Sequence, residues 1–198
     1  FKYFDHTHTD AVVAISNSPD GEVLLKKLYG DSVLILPYLM PGFVLAKQVF
    51  DQTRNLDWTK LEGIILMHHG LFTFSDSAKE SYSKMIDLVS RSEDYLRSIN
   101  AFDGLAESDY QPQPEDYLQL AQCRRAASLH FGAPMVTSWK RDQKSVGFSS
   151  IDNVNDIATR GPVTPDHTLQ TKRIAAILDE SPAEGVDRFA AEYLDYFD

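Results

Sequence analysis

Apolar residues recur along this chain in two rhythms. Between Ser77 and Asn100, Ala78, Tyr82, Met85, Val89, Leu96 and Ile99 are spaced by three, four or seven residues. That spacing predicts one face of a long amphipathic helix, and Ser77 with Glu80 predicts a capping box at its start. The runs Ser32–Leu36 (SVLIL) and Gly63–Met67 (GIILM) are continuously apolar, rich in branched residues and bounded by turn signals. They predict buried strands. Leu71–Phe74 predicts a further strand, directly after His68-His69-Gly70. Helices are expected over 9–18, with Thr9 or Asp10 as cap, over Asp20–Tyr29 up to Gly30, and over 42–54 after the Pro41-Gly42 break. Further on, a helix is expected over Glu115–Phe131, stopped by Gly132, then a strand over Met135–Trp139. A short helix over Asn153–Thr159 and a final one over Pro182–Phe197 complete the chain. Interleaved strands and helices of this kind define a mixed α/β protein.

The balance of charge narrows the partners. With 19 basic and 29 acidic residues among 198, the net charge is −10. Such a surface repels phosphate backbones, which argues against nucleic-acid binding. No basic amphipathic stretch suggests a membrane surface, and no apolar run is long enough to span one. A single cysteine, Cys123, rules out a disulfide within the chain and fits a reducing cytoplasm. The opening Phe1-Lys2-Tyr3-Phe4-Asp5-His6 has no initiator Met and no polar lead-in, and is read as the interior of a longer chain.

The chemistry concentrates in histidines. His6 and His8 are two residues apart, so on an extended segment both imidazoles point to one side. His69 stands at a strand end beside Gly70, where a missing side chain permits close backbone approach. Three imidazole ligands with a fourth position left open are the pattern of a catalytic zinc rather than a structural one. His6, His8 and His69 are therefore the candidate ligands of one divalent metal ion. Zinc is expected, with cobalt or manganese as alternatives.

Taken in order, His6-Thr-His8, a helix, a Pro-Gly break, Ile64-Ile65-Leu66-Met67-His68-His69-Gly70-Leu71 and a long helix resemble the class II aldolase/adducin family. Pro37-Tyr38-Leu39-Met40-Pro41-Gly42 and Arg160-Gly161-Pro162-Val163-Thr164-Pro165-Asp166-His167 resemble one branch of it, the aldolase part of bifunctional rhamnulose-1-phosphate aldolase/short-chain alcohol dehydrogenases. The resemblance implies that both histidines of the His-x-His and the histidine before the glycine are the ligands, leaving His68 as a neighbour. It implies an α/β fold, a three-layer α/β/α sandwich with a mostly antiparallel central sheet, here lacking its first strands. The expected organisation is a class II aldolase-like metal-binding domain over 1–105, a polar linker over 106–114 and an α/β extension over 115–198. The implied activity is a metal-dependent aldolase that cleaves a ketose 1-phosphate through a metal-stabilised enediolate. The partners would be a phosphorylated sugar and further copies of the chain in a homo-oligomer, in the cytoplasm. The family's Glu base and phosphate-binding loops lie upstream of the His-x-His. Epimerases and dehydratases share the ligand set, and adducin-like relatives keep the fold as a non-catalytic interaction module.

Other residues keep two readings at this stage. Asp5 either orients an imidazole as an outer carboxylate or faces solvent. His167 is the low-ranked catalytic candidate, approaching the metal site or substrate, or else a turn residue beside Pro165. His130 suits a helix C-terminus, Cys123 a buried helix position, and Trp58 and Trp139 packing. Phe189, Tyr193, Tyr196 and Phe197 space as one helix face.

Overall fold

The computed structural model of the chain describes residues 1–101, 108–179 and 181–197. They fall into two compact units, Phe1–Phe102 with Pro162–Thr171, and Asp103–Gly161 with Lys172–Asp198. The first unit begins with β1 (Tyr3–Thr7), α1 (Asp10–Ser16), α2 (Gly21–Tyr29), β2 (Val33–Leu36) and α3 (Phe43–Thr53). It continues with β3 (Gly63–Leu66), β4 (Gly70–Ser75) and α4 (Ala78–Ser98). The strands form one sheet in the order β1-β4-β3-β2. β1 and β3 flank β4 antiparallel, whereas β2 and β3 run parallel. A parallel pair needs a crossover, and α3 lies in that connection.

Strand alternation divides the core in two. Val33, Ile65 and Leu71 join Val12, Ile15, Leu25, Tyr29, Met85 and Leu88 from α1, α2 and α4. Leu36, Ile64, Leu66 and Phe74 form the second cluster, with Leu45 and Val49 of α3 and Trp58 against it. Burial on both sides explains why β2 and β3 are continuously apolar instead of alternating.

The long helix follows a different face from the one its apolar spacing suggests. Met85 is buried and Val89 and Leu96 half-buried, but Tyr82 and Ile99 are exposed, and Ser81 and Ser92 are buried in their place. Each small residue has a reason. The Ser81 carbonyl accepts the Thr73 hydroxyl of β4 at 2.9 Å. Ser92 meets the Tyr29 hydroxyl at 2.6 Å, and that hydroxyl donates to the Leu88 carbonyl at 2.7 Å. The capping box also fails to form: the Ser77 side chain makes no cap bond. Ser75 takes its place, donating to the Glu80 carboxylate at 2.7 Å and accepting the Ser77 N–H at 3.1 Å.

In the second unit α5 (Pro114–Phe131) packs on α9 (Pro182–Asp195). α6 (Gln143–Ser149) and α7 (Val154–Ala158) lie between them in sequence, and α8 (Pro165–Gln170) belongs to the first unit. The expected strand over Met135–Trp139 does not exist. Its backbone is engaged by α5 side chains instead: Met135 N–H donates to Ser128 Oγ at 3.0 Å and the Met135 carbonyl accepts Arg124 at 3.4 Å. Of the stretch read as a linker, Ala106 and Glu107 lie outside the described residues. Cys123 is half-buried on α5, less enclosed than expected. Among the described residues no helix is long and apolar enough to cross a membrane.

Burial pushes the Tyr29 phenol above its ordinary value, against the opposing pull of the Ser92 hydrogen bond and the Arg91 charge. The folded state therefore holds the proton more tightly than the unfolded chain. That stability is present below about pH 10 and is lost as the pH rises beyond it. Tyr29→Phe is expected to cost about 1–2 kcal/mol in urea unfolding at neutral pH, and to flatten the alkaline loss of stability that the unmodified chain shows.

Candidate metal centre

The three histidines reach one point because two strand ends are brought together. β1 pairs with β4 so that His6 stands opposite Phe72, and its ring stacks on the Phe72 ring at 3.8 Å between centroids. Thr7 points the other way, where its hydroxyl contacts Met85 Sδ of α4 at 3.5 Å. His8 follows the strand. His69 sits in the turn that joins β3 to β4, its N–H donating to the Leu66 carbonyl at 3.1 Å.

Two local features hold that turn. His68 adopts a left-handed backbone, φ 58°, a conformation that costs a non-glycine residue of order 1 kcal/mol or more. Its N–H donates to the buried Ser16 hydroxyl at 3.1 Å, and its Nδ1 bonds Asn17 Oδ1 at 2.8 Å. Gly70 is the second. A Cβ there would collide with the Thr7 carbonyl and lie 2.9 Å from His8 Cδ2 and 3.2 Å from His6 Cε1. Any side chain at position 70 pushes β1 away from the turn.

The result is a cluster in which one ligand atom from each of His6, His8 and His69 lies within 4.8 Å of the others. His6 Nε2 and His8 Nε2 are 2.9 Å apart. The far nitrogens are both engaged. His6 Nδ1 lies 3.0 Å from the Leu71 carbonyl, and His8 Nδ1 2.8 Å from Asp166 Oδ2. A carbonyl and a carboxylate only accept, so each Nδ1 carries the proton and donates it. Two neutral imidazoles arranged in this way aim two Nε2 lone pairs at each other. A proton shared as an N–H···N hydrogen bond relieves that contact, and so would a cation held by both nitrogens. Tetrahedral zinc at 2.0–2.1 Å from each nitrogen spaces its ligands by roughly 3.3 Å, so the donor set fits a divalent ion. Burial, then mutual repulsion with the other imidazoles, holds His69 below the ordinary histidine range. Burial likewise lowers His6, opposed by its bond to Leu71. Both directions favour the neutral, ligating form. His6 is exposed and the other two are half-buried, so one side of the cluster faces solvent.

The other sequence candidates have partners of their own. His167 Nδ1 bonds Thr164 Oγ1 at 2.6 Å, within its own turn. Asp5 pairs with Thr73, on the opposite face of β1 from His6. His130 bonds Asp187 at 2.7 Å. Sequence reasoning passed over Asp166. The Thr-Pro-Asp-His string carries both groups, and it is the carboxylate that meets His8 while the imidazole bonds Thr164.

Gly70→Ala is expected to lower stability by about 1–3 kcal/mol, the range of overpacked sites, measured by urea unfolding. The same variant should enlarge the His6–His69 separation, seen as loss of contacts between their ring protons in NMR spectra.

Two family models match the chain. Residues 1–96 match the family model described as Class II Aldolase and Adducin N-terminal domain. Residues 115–198 match the one described as Aldolase class II, second domain. Through these two segments most of the chain matches the class II aldolase and adducin family. All of the chain aligns at 28% identity with an uncharacterized oxidoreductase, YuxG, of Bacillus subtilis, and spans 31% of that protein's length. An N-terminal class II aldolase domain of a conserved protein from Thermoplasma acidophilum is 39% identical, covering 47% of this chain and 41% of that one, with a TM-score of 0.42. An aldolase II superfamily protein from Pseudomonas syringae is 16% identical, covering 60% and 47%, with a TM-score of 0.40.

Proposed function

We propose that the chain is the metal-binding part of a class II aldolase, cleaving a ketose 1-phosphate into dihydroxyacetone phosphate and an aldehyde. The observation that carries this reading is the convergence of His6, His8 and His69, with two Nε2 atoms 2.9 Å apart and both Nδ1 protons committed elsewhere. An interaction module of the adducin kind has no use for such a cluster. Zinc is the ion that three imidazoles and an open side suit best, with cobalt or manganese next. When bound, a divalent ion supplies the positive charge that stabilises electrons left on substrate oxygens as a C–C bond breaks.

The chain's own residues have narrower tasks. His6 and His8 present Nε2 lone pairs, and His69 presents a ring nitrogen from the β3–β4 turn. The Leu71 carbonyl lies at hydrogen-bond distance from the first ring and Asp166 from the second. Among the described residues Asp166 is the one carboxylate hydrogen-bonded to the cluster, and His8 engages it. The proton-accepting group is therefore not assigned to any of these residues.

The protein is expected to bind close to one zinc or cobalt ion per chain, measured by equilibrium dialysis and elemental analysis. His69→Ala should weaken binding by at least 10-fold. A chain that takes up no divalent metal would sink the reading. In the metal-loaded protein, dihydroxyacetone phosphate released from rhamnulose 1-phosphate can be followed with a coupled dehydrogenase. Conversion of the sugar phosphate without C–C cleavage would point to the epimerase or dehydratase chemistry of the same scaffold.

A further inference from the structure

The turn around Asp166 has no task in the site as described so far beyond a single hydrogen bond, yet it is built with care. Pro162–Thr171 belongs to the first compact unit, although its sequence falls within the segment matched by the second-domain model. Thr164 is 3% exposed, and its hydroxyl bonds His167 within the turn. Pro165 then opens α8, which places Asp166 in its first turn. The Asn17 amide donates to the Val163 carbonyl at 3.3 Å, while its Oδ1 bonds His68 beside the ligand His69. Two independent contacts thus fix this stretch, one against a candidate ligand and one against a ligand's neighbour: Asp166 to His8, and Val163 through Asn17 to His68. The carboxylate is 57% exposed, and the imidazole it meets is 18% exposed.

We infer that Asp166 is a positioning residue of the metal centre: its carboxylate, 2.8 Å from His8 Nδ1, holds that proton and so fixes His8 with its Nε2 lone pair toward the ion. The inference rests on the reading that the three histidines bind a divalent cation. A neutral imidazole carries one N–H. If the proton moves to Nε2, His8 turns a donor toward the ion and drops out of the ligand set. The Leu71 carbonyl does this work for His6 through the backbone, which no substitution of a side chain removes. For His8 the work is done by a side chain that stands 158 positions away in sequence. An outer carboxylate on a ligating histidine is worth about 10- to 100-fold in metal affinity. His167, next in sequence, has a separate role: its bond to Thr164 closes the turn that presents Asp166.

The test uses the full chain with Asp166→Ala, Asp166→Asn and His69→Ala, titrated with cobalt and followed by its visible d–d absorption. The ring nitrogens of the metal-free proteins are followed in parallel by long-range nitrogen–proton NMR. Asp166→Ala should raise the cobalt Kd about 10- to 100-fold and move the His8 proton from Nδ1 to Nε2. Asp166→Asn, whose amide oxygen still accepts an N–H, should keep the Nδ1 proton and recover most of the affinity. Because Asp166 is exposed, the urea midpoint of the metal-free chain should not move. Unchanged affinity and an unchanged tautomer in Asp166→Ala would overturn the inference and leave the metal reading standing. A loss of affinity matched by an equal loss of metal-free stability would overturn it too, since the turn would then be scaffolding only. Absence of cobalt binding by the unmodified chain would sink both ideas, and binding retained by His69→Ala would mean the ion sits elsewhere, which also ends this one.

Discussion

The Thr7 carbonyl lies so close to Gly70 that not even a methyl group fits between them. This close approach is the constraint on which the rest of the site depends. It lets the end of β1 reach the β3–β4 turn, and it brings the His6 and His8 rings to within van der Waals distance of position 70. Backbone hydrogen bonds between β1 and β4 set the register. Thr7, facing α4, anchors the segment on one side, so the flanking histidines are turned to the other. The left-handed His68 then directs His69 back toward them. Backbone geometry thus gathers the three side chains before any ion is considered.

Gathering imidazoles is unfavourable without a reason to keep them apart from their protons. Burial and mutual repulsion lower the protonation of His69, and burial lowers that of His6. The Leu71 carbonyl and the Asp166 carboxylate then settle which nitrogen of His6 and of His8 bears hydrogen. The folded chain therefore concentrates electron pairs at one point. Gathering neutral ring nitrogens in this way costs free energy that a bound cation would return. One side of the cluster, at His6, faces solvent.

Much of this was legible in the residues. Branched, continuously apolar runs located β2 and β3 because both their faces are covered. The His-x-His spacing and the glycine after His69 spoke directly to strand alternation and close approach. The α4 face was misjudged at Tyr82, Ile99, Ser81 and Ser92 because hydropathy says nothing about how near a helix must come to a sheet. The Ser77–Glu80 pair carried a capping motif, but Ser75 at the end of β4 reached Glu80 first. Met135–Trp139 had strand-like composition, but its own backbone at Met135 is engaged by Ser128 and Arg124 on α5. Local pattern reveals what local physics decides, and each of these misses turned on a partner distant in sequence.

Asp166 is the extreme case of that rule. Neither periodicity nor motif spacing marks a single carboxylate in Thr-Pro-Asp-His as belonging to His8, because the relation exists only once Pro162–Thr171 returns to the first unit. The two family matches, 1–96 and 115–198, divide the sequence between the three histidines and this carboxylate. The fold does not respect that division. A chain that supplied only the first matched segment would hold three imidazoles and the Leu71 carbonyl, but no acceptor for the His8 Nδ1 proton. His8 would then be free to adopt either tautomer, and one of the two is useless as a ligand. Completeness of the centre is therefore a property of tertiary structure, and the C-terminal half of the sequence takes part in it through one side chain.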